Sequence, residues 1–209
     1  MGRLLTPKNK LARREGVDLG LKTYGSKSQA ALLRRINVTP GLKAVRKKFS
    51  KSSDYGRQLR EKQKLKRIYN INENQMRRYF DKAVKKKGNT ADYLIQNLES
   101  RLDNAVYRLR FTPTRNAARQ LISHGHIKVN GRKVDIPSYL LKKGDVIEFR
   151  KKKTSEIPYI KEIIEEKNYQ LPKWLKRTKT QGVVTSSLNV EEYAEPVDLA
   201  LVIEFYSKL

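Results

Sequence analysis

The apolar pattern of residues 91–149 restricts the fold of this chain more than any other feature. Between residues 91 and 110 the apolar side chains recur at steps of three and four, which predicts helix with a break near Glu99. A Thr-Pro-Thr stretch at residues 112–114 interrupts the helical pattern. Its last residue, Thr114, can cap a second helix over residues 115–123, because a threonine hydroxyl accepts a hydrogen bond from the first turn.

The period of the pattern changes from helix to strand after Gly125, a residue type that commonly ends helices. Residues 126–136 predict a hairpin, because the dipeptide Asn130-Gly131 favours the tight type I′ turn. Residues 144–150 predict a further strand. Helices followed directly by antiparallel strands predict an α+β fold.

Two further helices are predicted upstream of this segment. Residues 53–69 begin at Ser53 or Asp54, and either side chain can cap a helix. Residues 72–90 carry a single apolar stripe that starts behind the capping residue Asn72. Together these segments predict a mostly helical body.

The two ends of the chain are less regular. Residues 1–50 show no sustained period and carry short basic runs between Gly, Ser and Pro. Such a segment buries too little apolar surface to offset its ordering entropy. It predicts an extended or loosely folded basic arm that orders on a polyanion, or alternatively a flexible tail. Residues 151–170 predict a charged, partly helical connector, and residues 195–209 predict a short apolar strand.

The charge balance is strongly basic: 47 Lys and Arg face 21 Asp and Glu, a formal net charge of +26. A chain this basic repels itself when compact, so a polyanionic partner is expected. Nucleic acid fits best, because each phosphate that Lys or Arg neutralises also releases a counterion. The alternative, an acidic membrane surface, lacks the amphipathic helix with a strongly apolar face that it requires. No run has the length of a transmembrane helix, so no membrane partner is expected.

The predicted helix 53–69 is basic around nearly its whole circumference. A solvated helix face normally mixes both signs of charge in pairs four residues apart. Here only Glu61 is available as a partner. The cations therefore indicate phosphate binding rather than a solvated face.

A second basic edge is predicted on the two helices of the α+β segment. Arg101 and Arg108 stand two turns apart on one outer side of the first helix. Arg115, Arg119 and Ser123 share one face of the second helix, whose N-terminal N–H groups also favour phosphate. The hairpin adds the cations Lys128, Arg132 and Lys133. Charge alone does not separate RNA from DNA.

Residues 98–149 resemble the S4 RNA-binding domain, a small helix–helix–hairpin module, over the stretch LESRLDNAVYRLRFTPTRNAARQLISHGHIKVNGRKVDIPSYLLKKGDVIEF. Three other stretches resemble the bacterial-type uS4 family of small-subunit ribosomal proteins: PKNKLARREG, SDYGRQLREKQKLKRIY and VIEFYSKL. The resemblance covers nearly the whole chain and is weakest over residues 20–50 and 151–190.

The resemblance implies a non-enzymatic, primary binder of 16S ribosomal RNA at a helix junction of the 5′ domain. It implies a protein that nucleates small-subunit assembly and influences decoding accuracy. The implied partners are ribosomal protein uS5, other small-subunit proteins, and mRNA where it enters the subunit. The implied location is the small (30S) subunit in the cytoplasm, and an organellar ribosome stays open.

The resemblance also implies that the S4 module is inserted into the helical body. We expect a basic arm over residues 1–50 and a helical domain over residues 51–97 that residues 171–209 complete. We expect the S4 module over residues 98–160, then a connector and C-terminal segment over residues 161–209 that packs on the helical domain.

Neither a metal nor a cofactor is expected. Some members of the family bind zinc through four N-terminal cysteines, but this chain has no cysteine and carries Asn9 and Ala12 at two of those positions. The only histidines, His124 and His126, have no carboxylate close by, so they are weak candidates for a metal site.

One enzyme alternative stays open, because the S4 module also occurs on RNA-modifying enzymes such as pseudouridine synthases. Such an enzyme would need a separate catalytic domain with a buried Asp. The rest of the chain is too basic and too aperiodic to supply it.

The predicted RNA-binding residues fall in three regions. They are Arg3, Lys8, Arg13 and Arg14 in the arm; Tyr55, Arg57, Gln58, Arg60, Lys62, Gln63, Lys64 and Arg67 in the helix 53–69; and Arg101, Arg108, Thr114, Arg115, Arg119, Gln120, Ser123, His124, Lys128, Asn130 and Arg132 in the S4 module.

Overall fold

The structure is a computed structural model that describes residues 6–41, 53–166, 169–186, 193 and 195–208. The chain divides into two compact units: the first comprises Met1–Ala91 and Ala194–Leu209, and the second comprises Asp92–Tyr193. In sequence, the second unit is thus inserted between the two parts of the first. Helices together with one antiparallel sheet make the fold α+β, which confirms the predicted class.

The described part of the first unit is helical. Its helices are α1 (Lys8–Glu15), α2 (Lys27–Leu33), α3 (Asp54–Ile68), α4 (Glu73–Val84) and, from the end of the chain, α10 (Leu199–Ser207). The predicted caps of α3 and α4 are confirmed: Ser53 Oγ accepts a hydrogen bond from Gly56 N at 3.2 Å, and Asn72 Oδ1 accepts one from Gln75 N at 2.8 Å. These caps fix where both helices begin.

The N-terminal segment contains two helices, so the expectation of an extended arm is wrong there. Helix α1 buries Ala12 and contacts α2 and α3, and α2 buries Leu32. Gln29 of α2 donates to Asp18 Oδ2 at 2.7 Å and fixes the connection between the helices. The burial comes from neighbouring helices, which the segment considered alone does not show. Residues 42–50 of the predicted arm lie outside the described residues.

The C-terminal segment is also a helix, so the strand predicted within residues 195–209 is wrong. Asp198 caps α10 by accepting hydrogen bonds from two N–H groups of the first turn. The buried residues Val202, Phe205 and Tyr206 recur at steps of three and four, which is a helical period. They face the body: α10 packs on α3, and the rings of Tyr206 and Phe80 stack at 5.0 Å.

The second unit joins short helices to a five-stranded sheet. Its helices are α5 (Thr90–Glu99, in this unit from Asp92 on), α6 (Leu102–Arg108), α7 (Arg115–Ser123), α8 (Lys152–Ser155) and α9 (Pro158–Glu165). Its strands are β1 (Ile127–Val129), β2 (Arg132–Lys133), β3 (Val146–Phe149), β4 (Leu175–Thr178) and β5 (Gln181–Val184), which pair antiparallel in the order β2-β1-β3-β5-β4.

The predicted helix–helix–hairpin order is confirmed. The break near Glu99 separates α5 from α6, and Thr114 Oγ1 caps α7 by accepting a hydrogen bond from Ala117 N at 3.2 Å. Asn130 and Gly131 have φ angles of 51° and 77°, as both central positions of a type I′ turn require. Inward residues of the sheet join apolar residues of α6 and α7 in one core.

Strands β4 and β5 were not predicted, and they belong to the sheet of this unit. Residue Gly182 of β5 pairs with Ile147 of β3. A Cβ on Gly182 would lie 2.3 Å from Leu109 Cδ1, so only glycine lets β5 approach Leu109 this closely. Arg177 of β4 donates to the carbonyl oxygens of Leu109 at 3.1 Å and of Ile164 at 2.7 Å. Residues 171–186 therefore build this unit, although we expected the range 171–209 to complete the helical body.

Candidate nucleic-acid interface

A cleft of about 290 Å³ lies between α1 and α3 in the first unit. Its walls carry Lys10 and Arg14 from α1 and Gln63, Lys66 and Arg67 from α3. Lys10 and Arg14 are exposed, whereas Lys66 and Arg67 are largely covered. Four cations and an amide around one cleft make a site that favours a phosphate group.

Glu15 is the anionic counterpart of this cluster. Its side chain is fully buried, and its Oε1 accepts hydrogen bonds from Arg67 and, at 3.2 Å, from Arg60. Burial raises the pKa of the Glu15 carboxyl above its ordinary value, and attraction to Arg67 and Arg60 opposes part of that rise. The carboxylate therefore holds two of the predicted RNA-binding arginines in fixed positions.

Glu73 of α4 plays the same part for two lysines of α3. Lys62 and Lys66 donate to its two oxygens at 2.9 and 2.8 Å, while Lys64 donates to Glu61 at 2.6 Å. The prediction that only Glu61 is available to α3 is wrong. Glu15 and Glu73 come from neighbouring helices, so spacing along α3 does not reveal them.

The remaining predicted residues of the first unit serve different roles. Arg13 donates to the carbonyl oxygen of Val38 at 2.8 Å, and Gln58 is buried. Tyr55 is exposed beside the ring of Phe205, at 5.7 Å between centroids. Three further predicted residues are Lys8, half-buried on α1; Arg57, exposed and paired with Asp54; and Arg3, which lies outside the described residues.

In the second unit, Arg101 is a buried structural residue. Its side chain has no exposed surface, and its Nε and Nη2 donate to the two oxygens of Asp103 at 2.9 and 2.5 Å. Arg119 of α7 donates to the same carboxylate at 3.0 Å and is partly exposed. Asp103 thus joins α6 to α7 and fixes the direction in which the Arg119 side chain points.

Glu99 organises a second buried network. Arg108 makes a bidentate pair with its carboxylate, at 3.1 and 2.8 Å, and Asn104 Nδ2 donates to Glu99 Oε2 at 2.8 Å. Asn104 Oδ1 accepts from Arg115 Nε at 2.8 Å, and the Arg115 guanidinium lies 4.5 Å from the centre of the Tyr107 ring. Arg115 is buried. The prediction that Arg101 and Arg108 share an outer side is wrong, because acids of α5 and α6 draw both inward.

The exposed predicted residues of this unit lie at the end of α7 and on the hairpin. Gln120, Ser123, His124 and Arg132 are exposed. Lys128 pairs with Glu148 at 3.1 Å.

Asn130 is occupied by the fold. Its amide donates to Asp145 Oδ1 at 2.9 Å and accepts from Val146 N at 2.8 Å. This residue therefore fastens the hairpin turn to β3.

The sequence interpretation missed the cations at positions 150–153, immediately after β3. Arg150, Lys151, Lys152 and Lys153 are all exposed. The available signal is the run of four consecutive cations, which begins at the last residue of the predicted strand 144–150 and continues into the predicted connector 151–170.

The described residues contain no group of three or more His, Asp or Glu side chains placed to hold a metal ion. Among the described helices, none is long and apolar enough to cross a membrane.

Two family models match consecutive parts of the chain. The model of the ribosomal protein S4/S9 N-terminal domain matches residues 3–99, and the S4 domain model matches residues 100–147. The chain is 48% identical to small ribosomal subunit protein uS4 of Aquifex aeolicus, 45% identical to that of Herpetosiphon aurantiacus and 44% identical to that of Leptothrix cholodnii; each alignment covers 100% of both chains. Identity of this level along the full length shows that the chain belongs to the uS4 family of small ribosomal subunit proteins.

Proposed function

We propose that the chain is a primary binder of 16S ribosomal RNA at a helix junction of the 5′ domain, where it nucleates assembly of the body of the small subunit. The observation that carries this proposal is the full-length match to proteins named small ribosomal subunit protein uS4. Membership of that family makes the chain a structural ribosomal protein rather than the RNA-modifying enzyme that the sequence left open. The net charge of +26 supports a polyanionic partner.

We assign the RNA-binding residues to two classes with different roles. Paired residues such as Arg60, Arg101 and Arg115 hold helices together and position their neighbours. Exposed residues contact phosphate and 2′-hydroxyl groups, which proteins use to recognise structured RNA by shape. In the first unit these include Lys10 and Arg14 at the α1–α3 cleft, and in the second they include Gln120, Ser123, His124 and Arg132.

The finer parts of the proposal rest on the family resemblance. They are a location in the cytoplasmic 30S subunit, a place beside ribosomal protein uS5, a contribution to the site where mRNA enters, and an influence on decoding accuracy. The same resemblance supports an S4 module over residues 98–160, inserted into a helical domain.

Chemical footprinting on 16S ribosomal RNA tests the central proposal. The full chain is expected to protect a compact set of nucleotides around one junction of the 5′ domain. Affinity should also fall by orders of magnitude between about 0.05 and 0.2 M salt, because many phosphate contacts release counterions. Protection scattered over the whole RNA would reduce the activity to nonspecific binding.

A paired set of variants tests the cleft. Lys10→Gln with Arg14→Gln removes two exposed cations of the cleft and should weaken binding by about tenfold or more near 0.1 M salt. Lys82→Gln with Lys85→Gln removes two exposed cations from α4 and its C-terminal cap in the same unit, as a matched control. Equal loss in both double variants would show that the cleft has no special part in binding.

A further inference from the structure

We propose that Arg150, Lys151, Lys152 and Lys153 form a second RNA-binding patch, here called the 150–153 patch, which contacts the sugar–phosphate backbone of the same ribosomal RNA. The proposal rests on the proposed function and adds a surface to it. The patch lies outside residues 100–147, the part of the chain that matches the S4 domain model. Its function therefore does not follow from the match to that domain.

The backbone that carries the patch is fixed at both ends. Arg150 follows β3 directly, and its N–H donates to the carbonyl oxygen of His126 at 2.7 Å. Thr154, which is 3% exposed, lies 3.2 Å from His126 Nδ1 through its hydroxyl, and its N–H donates to the carbonyl oxygen of Lys151 at 3.0 Å. Because the main chain is already ordered, a ligand needs to order only the side chains.

The patch lies beside the end of α7, because His126, which follows that helix, contacts both Arg150 and Thr154. His124 and His126 flank Gly125, and their rings are 6.3 Å apart. The side chain of Lys133 lies against Gly125, since a Cβ on Gly125 would be 2.6 Å from Lys133 Cε. Gly125, with φ of 70°, thus lets the Lys133 side chain lie directly over the helix end. The patch therefore extends the exposed surface that already includes His124.

The charge of the patch is not balanced within the described chain. Among the described residues, no carboxylate oxygen lies within 4.0 Å of a side-chain nitrogen of residues 150–153. This contrasts with Lys128 on the neighbouring strand, which is paired with Glu148 at 3.1 Å. Four adjacent like charges repel one another, and an external polyanion removes that repulsion.

The chemistry of the patch favours the RNA backbone over the bases. Three of its four side chains end in ammonium groups, which act as point charges toward phosphate. None of the four is aromatic, so the patch has no platform on which a base could stack. We therefore expect a contribution to affinity that depends on salt and hardly on sequence.

The test compares two fourfold variants of the full chain. In the patch variant, Arg150, Lys151, Lys152 and Lys153 are replaced by Gln. In the control, the exposed residues Lys142, Lys143, Lys176 and Lys179 of the same unit are replaced by Gln. Binding to 16S ribosomal RNA is measured between about 0.05 and 0.2 M salt, with Trp174 fluorescence as the check that the unit is folded.

The patch variant should lose at least about tenfold in affinity near 0.1 M salt. The slope of the logarithm of the binding constant against the logarithm of the salt concentration should become less steep by about 0.7–0.9 for each phosphate contact removed. It should also lose a discrete part of the footprint that the control keeps. Replacing Lys151, Lys152 and Lys153 by Arg keeps the charge and should keep the binding.

Equal affinities, salt dependences and footprints in the two fourfold variants would overturn the patch while leaving the proposed function intact. Failure of the unchanged chain to bind 16S ribosomal RNA specifically would instead overturn the proposed function, and the patch with it.

Discussion

Asp103→Asn tests whether the arginines of the second unit are structural. In the structure, Asp103 accepts two hydrogen bonds from Arg101, at 2.9 and 2.5 Å, and one from Arg119 at 3.0 Å. Arg101 has no exposed surface, so water cannot replace the lost carboxylate. Removing one partner of a buried ion pair costs about 3–5 kcal/mol, and we expect the lower end because Asn keeps one acceptor.

Trp174 makes the measurement specific to this unit. It is the only tryptophan of the chain, and it is buried in the core that α6 and α7 share with the sheet. Urea unfolding followed by its fluorescence reports the second unit even when the two units unfold separately. The matched control is Asp135→Asn, because Asp135 and its partner Lys133 are 53% and 49% exposed. Exposed pairs of this kind contribute about 0–1 kcal/mol.

An Asp103→Asn variant as stable as the Asp135→Asn control would refute this assignment. It would show that Asp103 does not hold Arg101 in the interior. The prediction from the sequence, an exposed basic edge that includes Arg101, would then stand again. A second substitution separates charge from packing. Arg101→Met in the Asp103→Asn background removes the buried charge at similar length, so most of the lost stability should return.

Two further perturbations test other parts of the fold. Burial raises the pKa of Glu73, but hydrogen bonds from Lys66, Lys62 and Tyr206 outweigh this and lower it from 4.5 to about 2. Its contribution to stability is therefore full above about pH 4.5 and is lost as the pH falls toward 2. Urea unfolding followed by circular dichroism should show that the difference in free energy of unfolding between the unchanged chain and Glu73→Gln shrinks over this range. A difference that stays constant with pH would contradict the role of Glu73. Gly182→Ala should lower the free energy of unfolding of the second unit, followed by Trp174 fluorescence, by about 1–3 kcal/mol, because the new methyl would lie 2.3 Å from Leu109 Cδ1. A Leu109→Ala background should reduce this loss. Purely additive losses in the double variant would rule out the steric cause.

Local signals along the chain predicted the elements that local chemistry determines. Thr114, Asn72 and Ser53 cap helices where expected, because an N-cap depends on residues within one turn. The hairpin at Asn130-Gly131 follows for the same reason, since the two φ angles are intrinsic to that dipeptide.

Elements that depend on distant partners were predicted poorly. The C-terminal apolar run fits a strand or a helix equally well, and packing on α3 favours the helix. Helices α1 and α2 are too short to be stable alone and depend on contacts with each other and with α3. Strand β5 can lie against Leu109 because Gly182 has no side chain, and these two residues are far apart in sequence.

The candidate site shows the same limit. A count of charges along a helix identifies a basic segment but not the cations that are free to bind. Glu15 reaches Arg60 and Arg67 across 45 and 52 positions of sequence, and Asp103 reaches Arg119 across 16. Glu15 and Asp103 are two of only 21 acids, yet they hold arginines that the sequence alone predicts to bind RNA.

Side-chain chemistry accounts for much of the division between buried and exposed cations. Arg101, Arg108 and Arg115 occupy the interior networks because a planar guanidinium can serve two acceptors or stack on a ring, and it loses less hydration on burial than an ammonium. Lys62 is a buried exception, which Glu73 at 2.9 Å and the Phe205 ring at 4.6 Å compensate. Arginine and lysine should therefore be interchangeable in the 150–153 patch, where a point charge suffices, but not at Arg101, whose guanidinium binds both oxygens of Asp103.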